Sequence, residues 1–252
     1  MKNNEAKTMI YGRNAVTEAI RGAAGVEKIL IQKNIEGEGK KVFALAKKAG
    51  IPVQVVPRFV LDKETGGAAH QGVAAYTTEF VYAELSELYE AARASGEAPF
   101  LLALDGIEDP HNLGSILRSA EGAGVHGVVI PKHRAAAVTA TVMKVSAGAA
   151  AHMKIARVPN LTAALADMKE HGLWIFGLEA DGLPYREADY SGSGGLCLVI
   201  GSEGAGVSRI VREACDFLVA IPMRGKIGSL NAGSAAAVAM FEISARRREG
   251  TV

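Results

Sequence analysis

The most constraining stretch of this 252-residue chain is its last quarter, Leu196 to Arg248. Two short runs within it, Leu196–Ile200 (LCLVI) and Phe217–Ile221 (FLVAI), are apolar at every position, where a half-exposed strand would alternate. Such runs predict strands buried on both faces, the kind found in parallel sheets covered by helices. Each run opens into a loop of glycine and small polar residues. The first is Gly201-Ser202-Glu203-Gly204-Ala205-Gly206; the second runs from Pro222 to Asn231 and ends Gly228-Ser229-Leu230-Asn231. An Ala-rich helix is predicted from about Ala232 to Arg247. Loops leaving the carboxyl ends of neighbouring parallel strands form the crevice in which open α/β sheets hold ligands.

The same strand–helix alternation runs upstream and divides the chain. Residues 1–80 read as a small α/β domain. It has a polar lead over 1–8, a helix following Tyr11-Gly12-Arg13-Asn14, strands at Val26–Gln32, Pro52–Val56 and Val73–Tyr76, and helices at Gly39–Ala49 (with Gly50 as C-cap) and Arg58–Lys63. A linker over 81–98 carries a helix, Leu85–Ala94, and a turn, Ser95–Pro99. A second domain over 99–252 is predicted as strands Phe100–Leu104, Gly127–Ile130, Lys154–Arg157 and Leu173–Leu178 ahead of the two already named. Its helices are Ser115–Ala123, Thr139–Gly148 and Leu161–Glu170, the last capped by Asn160, and a turn spans Ser191–Gly195. Alternation on this scale predicts an α/β, doubly wound, mainly parallel sheet.

Charge and motif content narrow the function. Lys and Arg number 28 against 27 Asp and Glu, a net charge of +1, so no global basic field attracts nucleic acid. Local basic groups remain: Arg13 with Lys40, Lys41, Lys47 and Lys48, and Arg118 with Lys132 and Arg134. Cys197 and Cys215 sit in or beside apolar runs and read as reduced thiols. The N-terminus has no signal-peptide core, and no run reaches the ~18–20 apolar residues of a membrane helix, so a cytoplasmic protein is expected. The six histidines have no metal-ligand spacing, and no metal is expected. There is no P-loop, no G-x-S-x-G elbow and no N-terminal G-x-G-x-x-G, which argues against a nucleotidase, a serine hydrolase and a nicotinamide oxidoreductase.

Three segments can carry chemistry. In Asp109-Pro110-His111-Asn112-Leu113-Gly114-Ser115-Ile116-Leu117-Arg118, Asn112 or Ser115 can cap the next helix and Arg118 lies near its start. In the first glycine loop, Glu203 is unsuited to a pyrophosphate, because like charges repel; a cationic centre or hydroxyls fit better. In the second loop, Ile221 and Leu230 offer apolar contact and Ser229 and Asn231 offer polar groups.

Together these segments resemble the SpoU-type (TrmH-like) branch of the SPOUT RNA 2′-O-ribose methyltransferases. Asn112, Gly114 and Arg118 match the family's first motif, Val199 to Gly206 its second, and Ile221-Pro222-Met223 with Ser229-Leu230-Asn231 its third. The third motif continues as Ala232-Gly233-Ser234 where Val-Ser is common, a small-for-small change. Tyr11-Gly12-Arg13-Asn14-Ala15-Val16 and His70-Gln71-Gly72-Val73 resemble the family's substrate-binding domain. The resemblance implies a deep trefoil knot across roughly 196–245, an exception to the rule that chains do not thread loops. It also implies S-adenosyl-L-methionine as cofactor and a homodimer built through the catalytic domain. The expected reaction is methyl transfer to a ribose 2′-hydroxyl, with a guanosine of 23S rRNA as target. A tRNA target, and a non-catalytic RNA-binding or ribosome-assembly factor, are the alternatives. Asn112, Arg118, Glu203, Ser229 and Asn231 become the catalytic set, with Glu203 expected to orient Arg118 or the methionine end of the cofactor. Leu178, Glu179, Gly201, Ile221, Met223 and Leu230 become the cofactor contacts. Arg13, Arg118, Lys132 and Arg134 become the RNA contacts.

Overall fold

The computed structural model describes residues 8–21, 26–77, 80–190, 194–226 and 228–249. The chain divides into two compact units. One comprises residues 1–81 and 137–152, the other residues 82–136 and 153–252.

In the first unit, strands β1 (Thr8–Tyr11), β2 (Val26–Gln32), β3 (Val53–Val56) and β4 (Val73–Thr77) form a sheet in the order β1-β4-β2-β3. Strands β2 and β3 are parallel, and β4 is antiparallel to both its neighbours. The reason lies in the β2 sequence, VEKILIQ. Alternation sends Leu30 to one face and Ile29 and Ile31 to the other, and all three are buried, so both faces need a cover. On Leu30's face Leu61 of α3 (Arg58–Glu64) completes a cluster with Val56 and Ala74. Helices α1 (Arg13–Arg21) and α2 (Glu38–Lys48) bury Val16, Ala19, Val42 and Ala46. Helix α2 ends at Ala49, and Gly50, at φ 69°, follows as the left-handed residue that releases the chain. Thr8 already pairs with Thr77, so the expected polar lead is strand by that residue; residues 1–7, like residues 191–193 of the turn expected over Ser191–Gly195, lie outside the described residues.

Residues 137–152 pack with this unit although they come much later in the chain. They form α6 (Ala140–Val145), shorter than the helix expected over Thr139–Gly148, and a 3₁₀ turn at Ala149–Ala151. Lys144 lies over the Tyr11 ring with its Nζ 4.7 Å from the centroid, and His152 Nε2 shares a 2.7 Å hydrogen bond with Glu18.

The second unit holds a six-stranded sheet, parallel throughout. Its strands are β5 (Phe100–Leu104), β6 (Gly127–Pro131), β7 (Lys154–Val158), β8 (Trp174–Pro184), β9 (Leu196–Ile200) and β10 (Phe217–Ala220), in the order β10-β8-β9-β5-β6-β7. The two central strands, β5 and β9, are buried at every residue, as their unbroken apolar runs require. Helices α4 (Leu85–Ser95), α5 (Pro110–Gly122), α7 (Leu161–Glu170), α8 (Arg209–Glu213) and α9 (Ala232–Glu249) complete the unit. Asn160 does cap α7, its Oδ1 accepting from Ala163 N.

In this unit α5 and β8 also depart from expectation. Helix α5 begins at Pro110 rather than Ser115, and its cap is Asp109, which accepts from the backbone of His111 and Asn112. Proline at the first helical position costs no hydrogen bond, so the Asp-Pro pair starts the helix early. Strand β8 continues beyond Leu178. Its ladder with β10 jumps from Leu218↔Gly177 to Val219↔Leu183, so the turn-like Glu179-Ala180-Asp181-Gly182 bulges out and rejoins the sheet. Gly182 is required there, because a Cβ would lie 2.5 Å from Val219 N.

His126 joins the start of β5 to the end of α4. Its Nδ1 accepts from Phe100 N at 3.0 Å, so the proton sits on Nε2, which faces Ser95 Oγ at 3.0 Å. Burial lowers its pKa, partly opposed by Glu97. A histidine kept neutral in the fold stabilises it above the unfolded pKa of ~6.5, and that contribution is lost as pH falls through the lower folded value. The urea midpoint is therefore expected to fall between pH 7 and pH 5. His126→Asn should flatten that slope; an unchanged slope would remove His126 as its source.

Candidate active site

The carboxyl ends of β8, β9 and β10 open on a crevice of about 510 Å³. Its walls come from Leu178–Ala180 after the regular part of β8, from the loop over 201–206 after β9, and from Ile221–Met223 and Gly228–Leu230 after β10. All six residues expected to contact a cofactor (Leu178, Glu179, Gly201, Ile221, Met223, Leu230) line it. Among the described residues that line it there are two carboxylates, Glu179 and Glu203, and no lysine, arginine or histidine. Such a wall disfavours a pyrophosphate and suits a neutral or cationic ligand with an apolar body.

The glycine loop is a closed ring. Ser202 and Gly206 exchange two backbone hydrogen bonds of 3.0 Å each. Gly201 has no room for a side chain, since a Cβ would sit 2.0 Å from the carbonyl carbon of Gly206 and 2.2 Å from Val207 N. Bulk at position 201 would therefore displace the ring. Two acids hold the ring from outside: Glu179, expected as a cofactor contact, and Asp105, which sequence reasoning did not assign. Glu179 Oε1 accepts from Val207 N, and Asp105 Oδ2 accepts from Ser208 N at 2.7 Å. Glu179 thus meets the crevice with a carboxylate already tied to the ring. The signal for Asp105 was its place directly after β5, where carboxyl-end residues meet the neighbouring loop.

Glu203 gathers the other polar residues. Its Oε1 accepts from Asn112 Nδ2 at 3.2 Å, from Ala232 N at 3.2 Å and from Asn231 Nδ2. Asn231 Nδ2 also donates to Asn112 Oδ1 at 2.9 Å. Asn231 Oδ1 in turn accepts from Gly233 N and Ser234 N and so caps α9. The early start of α5 puts Asn112 in its first turn, within reach of this node.

Arg118 is not part of the node. It lies six residues after Asn112 on the same helix, about 9 Å further along the axis and a third of a turn around it. It is exposed and makes no hydrogen bond or ion pair with the described residues. Glu203, expected to orient Arg118 or the methionine end of the cofactor, is engaged with the two asparagines and makes no contact with Arg118 among the described residues. Ser229 lines the crevice and is exposed. Lys132 and Arg134 are exposed after β6, with Arg134 at φ 56°. In the first unit, Arg13 is tied to Gln71. Among the described residues no group of acids, histidines and cysteines can hold a metal, and no helix is long and apolar enough to cross a membrane.

The node predicts a pH signature. Asn231→Asp keeps the helix-capping oxygen but sets a second carboxylate against Glu203 and removes a donor. It should unfold at a lower urea concentration than wild type at pH 7 and regain most of the difference near pH 4, where the new acid is protonated. Asn231→Ala should instead lose about 1 kcal/mol at both pH values. Equal behaviour of the two variants would show that the Glu203 contact carries no weight.

Comparison with known proteins agrees with this arrangement. The chain matches the SpoU rRNA Methylase family over residues 99–241 and the RNA 2′-O ribose methyltransferase substrate-binding family over residues 9–83. It is 48% identical over 240 residues to YacO of Bacillus subtilis (strain 168), a protein assigned to the TrmH family of tRNA/rRNA methyltransferases, covering 94% of this chain and 95% of that one. The SpoU methyltransferase AviRb from Streptomyces viridochromogenes, solved with AdoMet, superposes with a TM-score of 0.80 at 22% identity, over 98% of this chain and 95% of its own. An AdoMet-bound rRNA methyltransferase from Sinorhizobium meliloti gives 0.78 at 24% identity, over 96% and 87%. The latter two likenesses speak to the fold; the family matches and the near-half identity to YacO reach further, and on them the chain belongs to the SpoU family of RNA methyltransferases.

Proposed function

We propose that the crevice binds S-adenosyl-L-methionine and that the protein methylates a ribose 2′-hydroxyl, that of a guanosine in 23S rRNA. The observation that carries this reading is a crevice of small-molecule size whose charged side chains are two carboxylates. That wall favours a sulfonium over the anionic cofactors that other glycine loops hold. AviRb and the Sinorhizobium meliloti enzyme, with AdoMet bound, share this fold along most of the chain. The ribosomal target is supported by the separate unit matching a substrate-binding family and by the rRNA enzyme that aligns with both units.

When bound, S-adenosylmethionine supplies an electrophilic methyl group. The protein's part is to hold the acceptor and manage charge. Leu178, Ile221, Met223 and Leu230 offer the adenosyl group apolar contact, with the backbone at Gly201 beside them. Asn112 and Ser229 offer hydrogen bonds to a ribose; Asn231, whose own donors and acceptors are taken by Glu203, Asn112 and the start of α9, fixes Asn112 in place. Arg118 is too basic to act as a proton acceptor at neutral pH. Its role in this reading is to bind the acceptor's phosphate and stabilise the alkoxide charge that develops at the 2′-oxygen. Its lack of a partner among the described residues suits a residue reserved for the RNA. Lys132 and Arg134 extend that basic surface. A homodimer through this unit and the trefoil knot belong to the same reading. Exposed Val238 and Phe241 on α9, the helix packed on α5, support the first, and the return of α9 to α5 after β10 supports the second.

Mapping 2′-O-methylation on rRNA and tRNA from a strain lacking the protein tests the reaction and its target together. Loss of one methylated guanosine in 23S rRNA is expected, whereas a lost tRNA site or an unchanged pattern would overturn the target or the activity. Arg118→Ala should leave S-adenosylhomocysteine affinity near wild type by calorimetry while turnover falls by ~10²–10³ or more. Arg118→Lys keeps the charge but loses the planar fork, so most activity should go as well. Near-normal turnover of the lysine variant would reduce Arg118 to a point charge.

A further inference from the structure

The first unit contains a second crevice that the reaction does not use. It lies at the carboxyl ends of β2 and β3 and is closed by the loop that enters β4, with a volume of about 680 Å³. That volume is within the ~300–1,000 Å³ of sites that hold small molecules. Its polar groups converge. Gln32 and Asn34 bring side-chain amides that have no hydrogen-bond partner among the described residues. Arg13 is clamped by Gln71, whose side-chain oxygen accepts from Arg13 N at 3.2 Å and whose backbone oxygen accepts from Arg13 Nε at 3.0 Å. Its terminal guanidinium nitrogens have no partner among the described residues.

The floor is built for rigidity. His70 is 4% exposed. Its Nδ1 accepts from Gly72 N at 2.9 Å, so Nε2 carries the proton and meets Asp62 Oδ1 at 2.9 Å. The other Asp62 oxygen is 3.8 Å from Arg58 Nε. Two non-glycine residues on the rim hold left-handed backbone conformations, Asn34 at φ 62° and Gln71 at φ 52°. Such conformations cost energy and persist where surrounding structure enforces them, commonly at binding sites.

We infer that this crevice takes one unstacked nucleotide of the RNA, with the base edge on the Gln32 and Asn34 amides and Asp62, and the phosphate on Arg13. The inference rests on the reading of the protein as an RNA methyltransferase and adds where and how the small unit recognises its substrate. Amides offer a donor and an acceptor side by side, the pattern that pairs with base edges. Asp62 makes the crevice unsuited to a phosphate alone, whereas a carboxylate accepts well from base amino and imino groups. The bases of an A-form duplex do not expose their pairing edges, so the ligand is a nucleotide in a loop, bulge or end. The basic residues Arg21, Lys41 and Lys48 line a groove between α1 and α2 that shares Arg13 with this crevice, a continuation for the RNA backbone.

Filter binding with the full-length chain tests this, using a 23S rRNA transcript, unfractionated tRNA and a perfectly paired RNA duplex as probes. The double variant Gln32→Ala, Asn34→Gly suits the left-handed backbone at position 34, and an unchanged urea midpoint verifies its fold. Its affinity for whichever structured RNA the wild type binds more tightly should fall about tenfold or more, with duplex binding unchanged. Arg13→Ala should lower the slope of log affinity against log salt by about one. Wild-type affinity in the double variant, an equal loss on the duplex, or failure of the wild type to bind either structured RNA would each overturn the inference. The two readings separate cleanly. Binding through the crevice without methyl transfer would remove the proposed reaction and leave the crevice standing, and undiminished methylation by the double variant at limiting RNA would do the reverse.

Discussion

A single carboxylate oxygen holds the second unit's crevice in shape. Glu203 Oε1 receives donors from Asn112 at the start of α5, from Asn231 before α9 and from the first backbone amide of α9 itself. Helix α5 follows the buried central strand β5 and α9 follows the edge strand β10, and a helix N-terminus carries unsatisfied amides and a partial positive charge. A carboxylate placed there is favourable on both counts. The residue sits at the exposed tip of the ring closed by Ser202 and Gly206, so each hydrogen bond is worth little alone. Their value is geometric: three segments far apart in the chain are fixed relative to one another around one atom.

That node was only partly legible in the sequence. The strands beneath it were, because β5 and β9 are unbroken apolar runs that only a doubly covered parallel sheet buries completely. The glycine ring and the β10 loop were legible as loops at strand ends. The pairing of Asn112 with Glu203 was not, since the two stand 91 residues apart and no periodicity relates them. The start of α5 was recoverable: Asp109-Pro110 is a cap followed by the proline that best tolerates the first helical position, a stronger signal than the later Ser115. The extension of β8 through Gly182 was not, because Asp-Gly composition favours a turn, and only the backbone of Val219 alongside shows why glycine is needed.

The distribution of charge follows the same division of labour. A chain with a net charge of +1 cannot draw RNA by its overall field. Its cations stand instead where a backbone could be met one phosphate at a time: Arg13 and the exposed lysines of α2 in one unit, Arg118, Lys132 and Arg134 in the other. The crevice holding two carboxylates has no cation in its wall among the described residues. In the proposed reading, segregation of this kind would keep polyanion and small ligand on surfaces of opposite sign.

Residues 137–152 give the first unit a late clause. The unit's sheet is finished by Thr77, yet Lys144 and His152, which meet Tyr11 and Glu18, emerge from the ribosome only after β5 and β6 of the other unit. During synthesis the first sheet must therefore wait with part of its cover missing, and the long loop that closes it adds an entropic cost that grows slowly with length. A chain cut before residue 137 would carry every strand of that sheet and still lack its last packing layer, and a chain lacking residues 1–80 would leave Ala149, Ala150 and Ala151 bare. The two halves are thus separable as folds but not as pieces of sequence, and their biogenesis is coupled by the order in which the chain is made.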